Sequence, residues 1–255
     1  RFFEPRTLTL NPEASAYKLR SAVTGHGQNG EFVPRSHYLN LDGGPQEFVY
    51  EVWKECSTIP IYPQGGTWLF DRAGWCPGDP TDVHQFWLDD YAPGDEVEVD
   101  YGVNGAFMSE ANYLVSNQLV AYSAPNFELD AAMEAIVRPS TRVEYERYNP
   151  MCSRPVVVVQ NTGSSAISAL EIAYGLEGGQ TLSYSWEGQL AFLDTVHITL
   201  PAPDLSFWSG ISGRATFFAR IDAVNGGNDA YADNNTMHST VELPRVFDIE
   251  QLLQL

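Results

Sequence analysis

Basic residues and long apolar runs are both scarce in this chain of 255 residues. Lysine and arginine number 14 against 33 aspartates and glutamates, which gives a formal net charge of −19. Such a field repels phosphate backbones, so nucleic acid is not expected as a partner. No apolar run approaches the roughly 20 residues that span a bilayer, so no transmembrane segment is expected. With 44% hydrophobic residues, the chain can nevertheless bury real cores.

Residue sets that mark several enzyme classes are also missing. The three cysteines do not make a zinc site of the usual four-ligand kind, and no Ser-His-Asp order, nucleophile elbow or phosphate loop occurs. Copper monooxygenases with two jelly rolls need several histidines and a methionine as ligands. No His-x-His pair is present, and we expect each histidine to be a hydrogen-bonded structural residue; they are His26, His37, His84, His197 and His238. The sequence therefore predicts no cofactor.

The most informative stretch is residues 65–78, with the sequence GGTWLFDRAGWCPG. Its glycines and prolines force backbone turns, and tryptophans are enriched at binding surfaces. An arginine beside aromatic rings can clamp polar, ring-shaped ligands such as sugars. The alternative is a loop, stapled by a disulfide, that closes a β-sandwich. We expect the Asp71 carboxylate to be structural and to accept backbone N–H groups in this turn, rather than to act as a nucleophile.

The cysteines bear directly on this stretch. Cys56 and Cys76 bracket most of it, and we predict a disulfide between them, which would stabilise the fold by closing a loop. A disulfide implies export to an oxidising compartment, whereas two buried thiols in a cytosolic protein are the alternative. Cys152 precedes an apolar strand, and we expect it to be a buried, unpaired thiol.

Strand patterns dominate the whole chain. Short stretches alternate apolar and polar residues between Gly, Pro, Asn or Asp, which predicts antiparallel sheets packed as sandwiches. Examples are 7–10, 17–23, 96–101, 113–115 and 118–122, and, after a boundary near 123–126, 155–163, 170–176, 181–186, 194–200, 213–223 and 237–243. The spacing in the second half is typical of an immunoglobulin-like sandwich. Residues 128–137 fit either a helix or a linker that runs into a first strand, and both remain open.

Several short motifs follow one another in the first half of the chain. In order, they are Gly25-His26-Gly27, Glu31-Phe32, Arg35 with His37, Cys56, and the octet DRAGWCPG at 71–78. Together they resemble the C-terminal jelly-roll domain of the peptide-N-glycosidase F family over about residues 5–124, and the octet is highly specific. The second half resembles CARDB-like, immunoglobulin-type modules of secreted bacterial proteins, mostly in architecture, through Asn161-Thr162-Gly163 and the Asn- and Asp-rich segment 225–236.

The first resemblance implies a concrete chemistry. The family cleaves, without a metal, the amide bond between an asparagine side chain and the first N-acetylglucosamine of an N-glycan, in a cleft between two jelly rolls. Glu31 is similar to a family carboxylate that helps to bind and orient the core sugar and water. Arg72 is similar to an arginine of the substrate cleft and Trp75 to a tryptophan that packs at the sugar site, while His26 stands where the family has another tryptophan. A fixed carboxylate can position water, a guanidinium can hold oxygens and an indole can stack on a sugar.

Two departures from the family shape the functional hypothesis. The essential aspartate of the family belongs to an N-terminal jelly roll without a counterpart in these residues, and Asn29 and Val33 replace a cysteine pair around the glutamate. We therefore expect this chain alone to be inactive as an amidase. It would be part of a bacterial protein, secreted or anchored on the outer surface, that engages N-glycans or glycoproteins. The alternative is a non-catalytic structural or adhesion protein of the cell surface.

The expected organisation is all-β. A jelly roll would occupy residues 1–124, an immunoglobulin-like sandwich 125–244, and a tail 245–255. Because the chain starts at Arg1 and ends in an apolar tail, we expect a larger protein whose flanking domains, or other surface proteins, are partners besides the glycoprotein. Asp229 and Asp233 are candidates for a calcium site, since calcium prefers clustered oxygens; a plain turn is the alternative.

Overall fold

Strands make up almost all of the regular structure, and the predicted all-β fold class is confirmed. The computed structural model describes residues 3–61, 69–106, 108–148, 154–201, 207 and 213–242. The predictions for Cys152 and for the tail over 245–255 lie outside the described residues. The chain divides into two units, Arg1–Ala124 and Pro125–Leu255. Within the described ranges, the structure contains no helix with the length and apolar character needed to traverse a bilayer.

The strands of the first unit are β1 (Arg6–Thr9), β2 (Ala16–His26), β3 (Arg35–Leu41), β4 (Gln46–Val52), β5 (Val83–Trp87), β6 (Glu96–Val103) and β7 (Asn112–Tyr122). Those of the second unit are β8 (Ala131–Arg138), β9 (Val156–Asn161), β10 (Ile167–Leu176), β11 (Thr181–Leu190), β12 (Thr195–Thr199), β13 (Arg214–Val224) and β14 (Thr236–Glu242). A short helix, α1 (Gln28–Glu31), follows β2. Among the described residues, 3-10 turns occur at Cys56–Thr58, Val143–Tyr148 and Ala232–Asn234.

Two antiparallel sheets pack face to face in the first unit. Their strand orders are β1-β6-β3-β4 and β5-β2-β7. At one side of the sandwich β4 faces β5, where the rings of Phe48 and Phe86 stack 4.7 Å apart and the Tyr50 ring lies 4.5 Å from the His84 ring. Alternate side chains of β2, such as Leu19, point into the core between the sheets. The period of two in the sequence therefore places one face of each strand in the core.

Polar side chains occupy part of this interior. The fully buried His37 is hydrogen-bonded through Nδ1 to the Tyr101 hydroxyl at 2.5 Å, and Ser21 Oγ bonds the Tyr50 hydroxyl at 2.7 Å. Within the described residues, His37 Nε2 has no hydrogen-bond partner. Burial, followed by the charges of His84 and Arg35, lowers the pKa of His37 from 6.5 to about 4. The imidazole is therefore neutral inside the folded unit at neutral pH.

One long strand replaces the two short ones that were predicted at 113–115 and 118–122. β7 runs from Asn112 to Tyr122 and pairs with β2 along its whole length. The polar pair between the predicted strands does not interrupt the ladder, because Asn117 accepts a hydrogen bond from the buried Ser21 hydroxyl at 2.7 Å. The exposed Asn117 thus pairs with a buried hydroxyl group on the neighbouring strand β2.

The second unit is a sandwich of two further antiparallel sheets, with strand orders β11-β10-β13-β14 and β12-β9-β8. The Asn161 side chain, which is fully buried, ties its loops together. Its Nδ2 donates to the carbonyls of Ser165 and Leu190, both at 2.9 Å, and its Oδ1 accepts from Gly163 N at 2.9 Å. The Asn-Thr-Gly motif is therefore a structural turn at the end of β9.

The stretch 128–137, open between helix and strand, is resolved as a strand. β8 pairs with β9, with register shifts between Met133 and Ala135 and between Ile136 and Arg138. These irregularities interrupt the strict alternation of inward and outward side chains. Apolar residues can therefore stand at neighbouring positions, which is why the sequence pattern was ambiguous.

The burial of His37 makes the stability of the first unit depend on pH. The unfolded chain binds a proton at this imidazole below about pH 6.5, whereas the folded chain does not until about pH 4, so the free energy of unfolding falls as the pH drops through this window. The full loss from this group is about 3 kcal/mol. We expect His37→Gln to give a flatter dependence in urea unfolding between pH 7 and 4. The exposed His197→Gln should keep the wild-type slope, and an equal slope in both variants would contradict the assignment.

Candidate functional site

The segment 69–78 is held against the end of β2 and against α1 by backbone hydrogen bonds. Gly25 N donates to the carbonyl of Ala73 at 2.9 Å, and Ala73 N donates to the carbonyl of Glu31 at 2.9 Å. The predicted disulfide between Cys56 and Cys76 is confirmed, and both cysteines are buried. The segment is thus fixed covalently as well as by backbone pairing.

Two glycines allow this close approach. A Cβ at Gly25 would lie 1.9 Å from the carbonyl oxygen of Gly30 and 2.5 Å from Ala73 Cβ. Gly74 has a φ of +77°, and a Cβ there would lie 2.0 Å from the carbonyl oxygen of Val23. No side chain fits at either position without moving backbone. Gly74, one of the glycines predicted to force turns, and Gly25 in β2 thus bring α1, β2 and the loop into contact.

An ion pair lies at the centre of the site. Arg72 Nε donates to Glu31 Oε1 at 2.8 Å, and Arg72 Nη1 donates to the carbonyl of Phe70 at 2.8 Å. The Arg72 side chain is 2% exposed and that of Glu31 is 20% exposed. Within the described residues, the second carboxylate oxygen of Glu31 has no hydrogen-bond partner. The guanidinium therefore orients the carboxylate from inside the protein, and the carboxylate reaches the surface.

Aromatic rings enclose this ion pair. The guanidinium carbon of Arg72 lies 5.1 Å from the centre of the Trp75 ring and 5.5 Å from that of Phe32. The His26 ring stacks on Trp75 at 5.8 Å, and the Phe70 ring meets Phe32 edge to face at 6.4 Å. These side chains contact one another in one continuous series, called here the aromatic ladder. Its order is His26, Trp75, Arg72, Phe32, Phe70. Cation–π contacts of this kind stabilise a buried charge.

The indole of Trp75 is fixed as well. Its Nε1 donates to the carbonyl of Gly25 at 3.0 Å, and the neighbouring His26 Nε2 is hydrogen-bonded to Thr24 Oγ1 at 2.9 Å. Both rings are partly exposed. The aromatic surface beside Glu31 is therefore pre-oriented, which lowers the entropic cost of ligand binding.

The other charged groups near the loop are structural. Asp71 accepts a hydrogen bond from Cys56 N at 3.2 Å, which fits the predicted backbone-binding role of this carboxylate. Lys54 bridges Asp79 and Asp82, with both N–O distances at 2.6 Å. Burial opposes the charge of Lys54, but hydrogen bonds to the two aspartates outweigh it and raise its pKa. These contacts shape the loop around the ladder.

The structure brings together the four site residues predicted in the first unit: Glu31, Arg72, Trp75 and His26. Phe32 and Phe70 were not singled out as site residues. Phe32 directly follows Glu31, which was a usable signal. Phe70 stands in the informative stretch and is 59% exposed, but nothing in the sequence pairs it with Phe32. The exposed Phe70 extends the aromatic ladder to the protein surface.

The two calcium candidates in the second unit, Asp229 and Asp233, have different surroundings. Asp229 accepts hydrogen bonds from Ala131 N at 2.8 Å and from Tyr231 N at 2.9 Å, and Asp233 is exposed. Burial, and secondarily the neighbouring Asp130, raise the pKa of Asp229. In the described part of the chain, no three His, Cys, Asp or Glu side chains could hold a metal ion. Asp229 therefore fastens a turn onto the start of β8.

The buried ion pair gives a test of the site geometry. Lysine lacks the planar fork that serves Glu31 and the carbonyl of Phe70 together, so we expect Arg72→Lys to lower the free energy of unfolding of the first unit by about 2 kcal/mol. Urea denaturation measures this change. The matched control is Arg220→Lys, since Arg220 also pairs through Nε with a carboxylate, that of Asp222 at 2.6 Å, but is 49% exposed. Its effect should stay below about 0.5 kcal/mol, and equal effects would contradict the assignment.

Comparison with known proteins agrees with the first resemblance. Residues 2–120 match the family model for the C-terminal domain of peptide-N-glycosidase F. The structure of PNGase F, a glycosylasparaginase from Flavobacterium meningosepticum, is 24% identical with a TM-score of 0.43, and the match covers 47% of this chain and 43% of that one. This chain thus spans less than half of that structure.

A second similarity concerns a domain of a protein from Methanosarcina acetivorans that is described as a cell surface protein. It is 13% identical with a TM-score of 0.34, and the match covers 47% of this chain and 95% of that one. No curated protein sequence matches the chain significantly. The family model thus shows that residues 2–120 are similar to the C-terminal domain of peptide-N-glycosidase F.

Proposed function

We propose that this chain engages N-glycans or glycoproteins through the surface formed by Glu31, Trp75 and His26, with Arg72 as the positioning residue behind them. One observation carries the proposal: an oriented, partly exposed carboxylate lies beside a fixed aromatic surface, within the residues that match the family model. Sugars present hydroxyl groups at the ring edge and C–H groups on the ring face. A carboxylate accepts hydrogen bonds from the former and an indole packs on the latter.

The extent of this surface matches a small glycan core rather than a long oligosaccharide. One carboxylate and two partly exposed rings offer contacts for one or two sugar units, so we expect binding of millimolar strength. The fixed orientation of Trp75, through its bond to the carbonyl of Gly25 at 3.0 Å, reduces the rotamer entropy lost on binding.

Binding can be measured by titrating the isotope-labelled chain with N,N′-diacetylchitobiose. We expect the indole Nε1–H resonance of Trp75 to shift at millimolar ligand, and Glu31→Gln to weaken binding several-fold because a neutral amide is a poorer acceptor. Glu47→Gln, at an exposed position in β4, is the matched control and should bind like the wild type. Absence of shifts at Trp75, or equal binding by both variants, would contradict the proposal.

We expect binding without cleavage. Hydrolysis of an amide needs a positioned acid as well as a carboxylate that orients water, and the essential aspartate of the family has no counterpart in the described residues of this chain. Incubation of the chain with a denatured N-glycoprotein, followed by mass spectrometry of the asparagine sites, should detect no glycan release. Release that is lost in Glu31→Gln and kept in Glu47→Gln would make the chain an amidase by itself.

A second candidate function, a non-catalytic structural or adhesion role at the cell surface, draws support from the burial of Arg72. At 2% exposure this guanidinium is engaged with Glu31 and with the carbonyl of Phe70, as expected for a folding device. Under this alternative, Arg72→Lys would lower stability while chitobiose would bind neither the wild type nor the variants. Since Arg72→Lys should lower stability under both candidates, chitobiose binding is the measurement that separates them.

The proposal also covers the cellular compartment of the protein and its partners. We infer an exported bacterial protein, since disulfides such as Cys56–Cys76 persist in oxidising compartments. The second unit would be a CARDB-like spacer or docking module, and flanking domains or other surface proteins would be its partners.

A further inference from the structure

The two sheets of the first unit differ in width. Within the described residues, one sheet has four strands, β1-β6-β3-β4, and the other has three, β5-β2-β7. β4 faces β5, through the stacked rings of Phe48 and Phe86, and the inner strands face β2 and β7, where the rings of His37 and Tyr113 meet 4.8 Å apart. β1 is left without a facing strand in this part of the chain.

A cleft of about 610 Å³ opens at this place, between β1 and β7. Its floor consists of core side chains, namely Leu8, Leu19, Val99, Tyr101, Val115 and Leu119. Around it lie the polar side chains of Glu4, Arg6, Ser116, Asn117 and Gln118, together with the ring of Phe3, whose centre is 5.1 Å from that of Tyr101. An apolar floor with a few polar groups around it, in a volume between about 300 and 1,000 Å³, is the usual composition of a binding site.

The strands beside the cleft present unpaired backbone edges. β7 pairs with β2 on one side and β1 pairs with β6, and neither has a second neighbour among the described strands. Sheets pack about 10 Å apart and strands within a sheet lie about 4.8 Å apart. A strand added to the free edge of β7 would therefore lie opposite β1 and fill the cleft.

We propose that this cleft accepts an extended polypeptide segment of a partner protein, which adds to β7 as a fourth strand. Edge addition of this kind combines backbone hydrogen bonds with pockets for alternate side chains. It would complete the narrower sheet and cover the half-buried floor residues Leu8 and Leu119. The inference uses no residue of the candidate glycan site and does not depend on the proposed function.

The cleft also specifies the chemistry of the segment. Its inward positions should carry apolar side chains at every second residue, since these would face the apolar floor. The remaining positions would face outward, where polar residues are favoured. Because the chain has a formal net charge of −19, a neutral or basic segment should associate faster than an acidic one.

The probe is a blocked, fluorescently labelled peptide of the sequence Lys-Thr-Val-Thr-Val-Thr-Val-Lys. One control peptide has its central threonine replaced by proline, which removes a backbone donor. The other has the same composition with its three valines adjacent, which destroys the alternation. With the full chain, we expect the probe to bind and both control peptides to bind about tenfold more weakly or not at all. Hydrogen exchange should slow in β7 when the probe is bound.

Two protein variants locate the site. Leu8→Trp fills the cleft from β1, whereas Thr7→Trp places the same side chain on the exposed, opposite face of that strand. We expect Leu8→Trp to abolish probe binding and Thr7→Trp to bind within twofold of the wild type. Arg6→Trp, at the exposed rim, replaces Leu8→Trp if the latter unfolds, as checked by circular dichroism.

Four outcomes would overturn the inference. They are no binding of the probe at millimolar concentration, equal binding of the proline peptide, protection outside β7 and β1, and binding that Leu8→Trp and Arg6→Trp leave intact. Dodecanoate that protects the cleft when the peptides do not would identify an acyl-chain site instead. Self-association that is lost in Leu8→Trp, measured by sedimentation, would identify a second copy of the chain as the occupant.

Discussion

The candidate site depends on one close backbone approach, that of segment 69–78 to the end of β2. The carbonyl of Ala73 accepts from Gly25 N, and Ala73 N donates to the carbonyl of Glu31. A single residue of the loop thus sets the distance to both β2 and α1. Because Arg72 precedes it directly, the same two bonds bring the guanidinium within 2.8 Å of the Glu31 carboxylate. Charge pairing follows from backbone pairing here.

Burial of polar groups is a recurring feature of the first unit. Arg72 is compensated by a carboxylate, a carbonyl and two aromatic faces, and His37 is compensated by loss of its proton and by the Tyr101 hydroxyl. These are two different solutions to the same desolvation cost. The first keeps a charge next to the surface, where it can orient Glu31, and the second keeps the core neutral.

The sequence predicted much of the fold, because alternation of apolar and polar residues has one common cause, a sheet with a buried face. β6, for example, lies at Glu96–Val103, where 96–101 was predicted. The pattern was insufficient where tertiary contacts override it. Asn117 reads as a break in β7 but accepts a hydrogen bond from Ser21 on the neighbouring strand β2, and the irregular pairing of β8 obscured its period. Neither effect is visible in local sequence.

The sequence identified residues that form the site, but it did not show how deeply the Arg72 guanidinium is buried. Glu31, Trp75 and His26 were selected by resemblance and do lie together beside Arg72. Whether the guanidinium faces solvent depends on Phe32 and Phe70, which come from separate segments and converge only in the folded unit. Sequence distance carries no information about such convergence, so the aromatic ladder had to be read from the structure.

The steric exclusion at Gly25 has a consequence for the history of such domains. Any side chain there would collide with Gly30 and Ala73, so the need to fold is enough to exclude substitutions at this position. The same holds for Arg72, whose loss would strand the Glu31 carboxylate and the carbonyl of Phe70. A lineage that abandoned glycan chemistry would therefore retain these residues under purifying selection for stability. The presence of these residues is therefore accounted for by folding and does not by itself indicate catalysis.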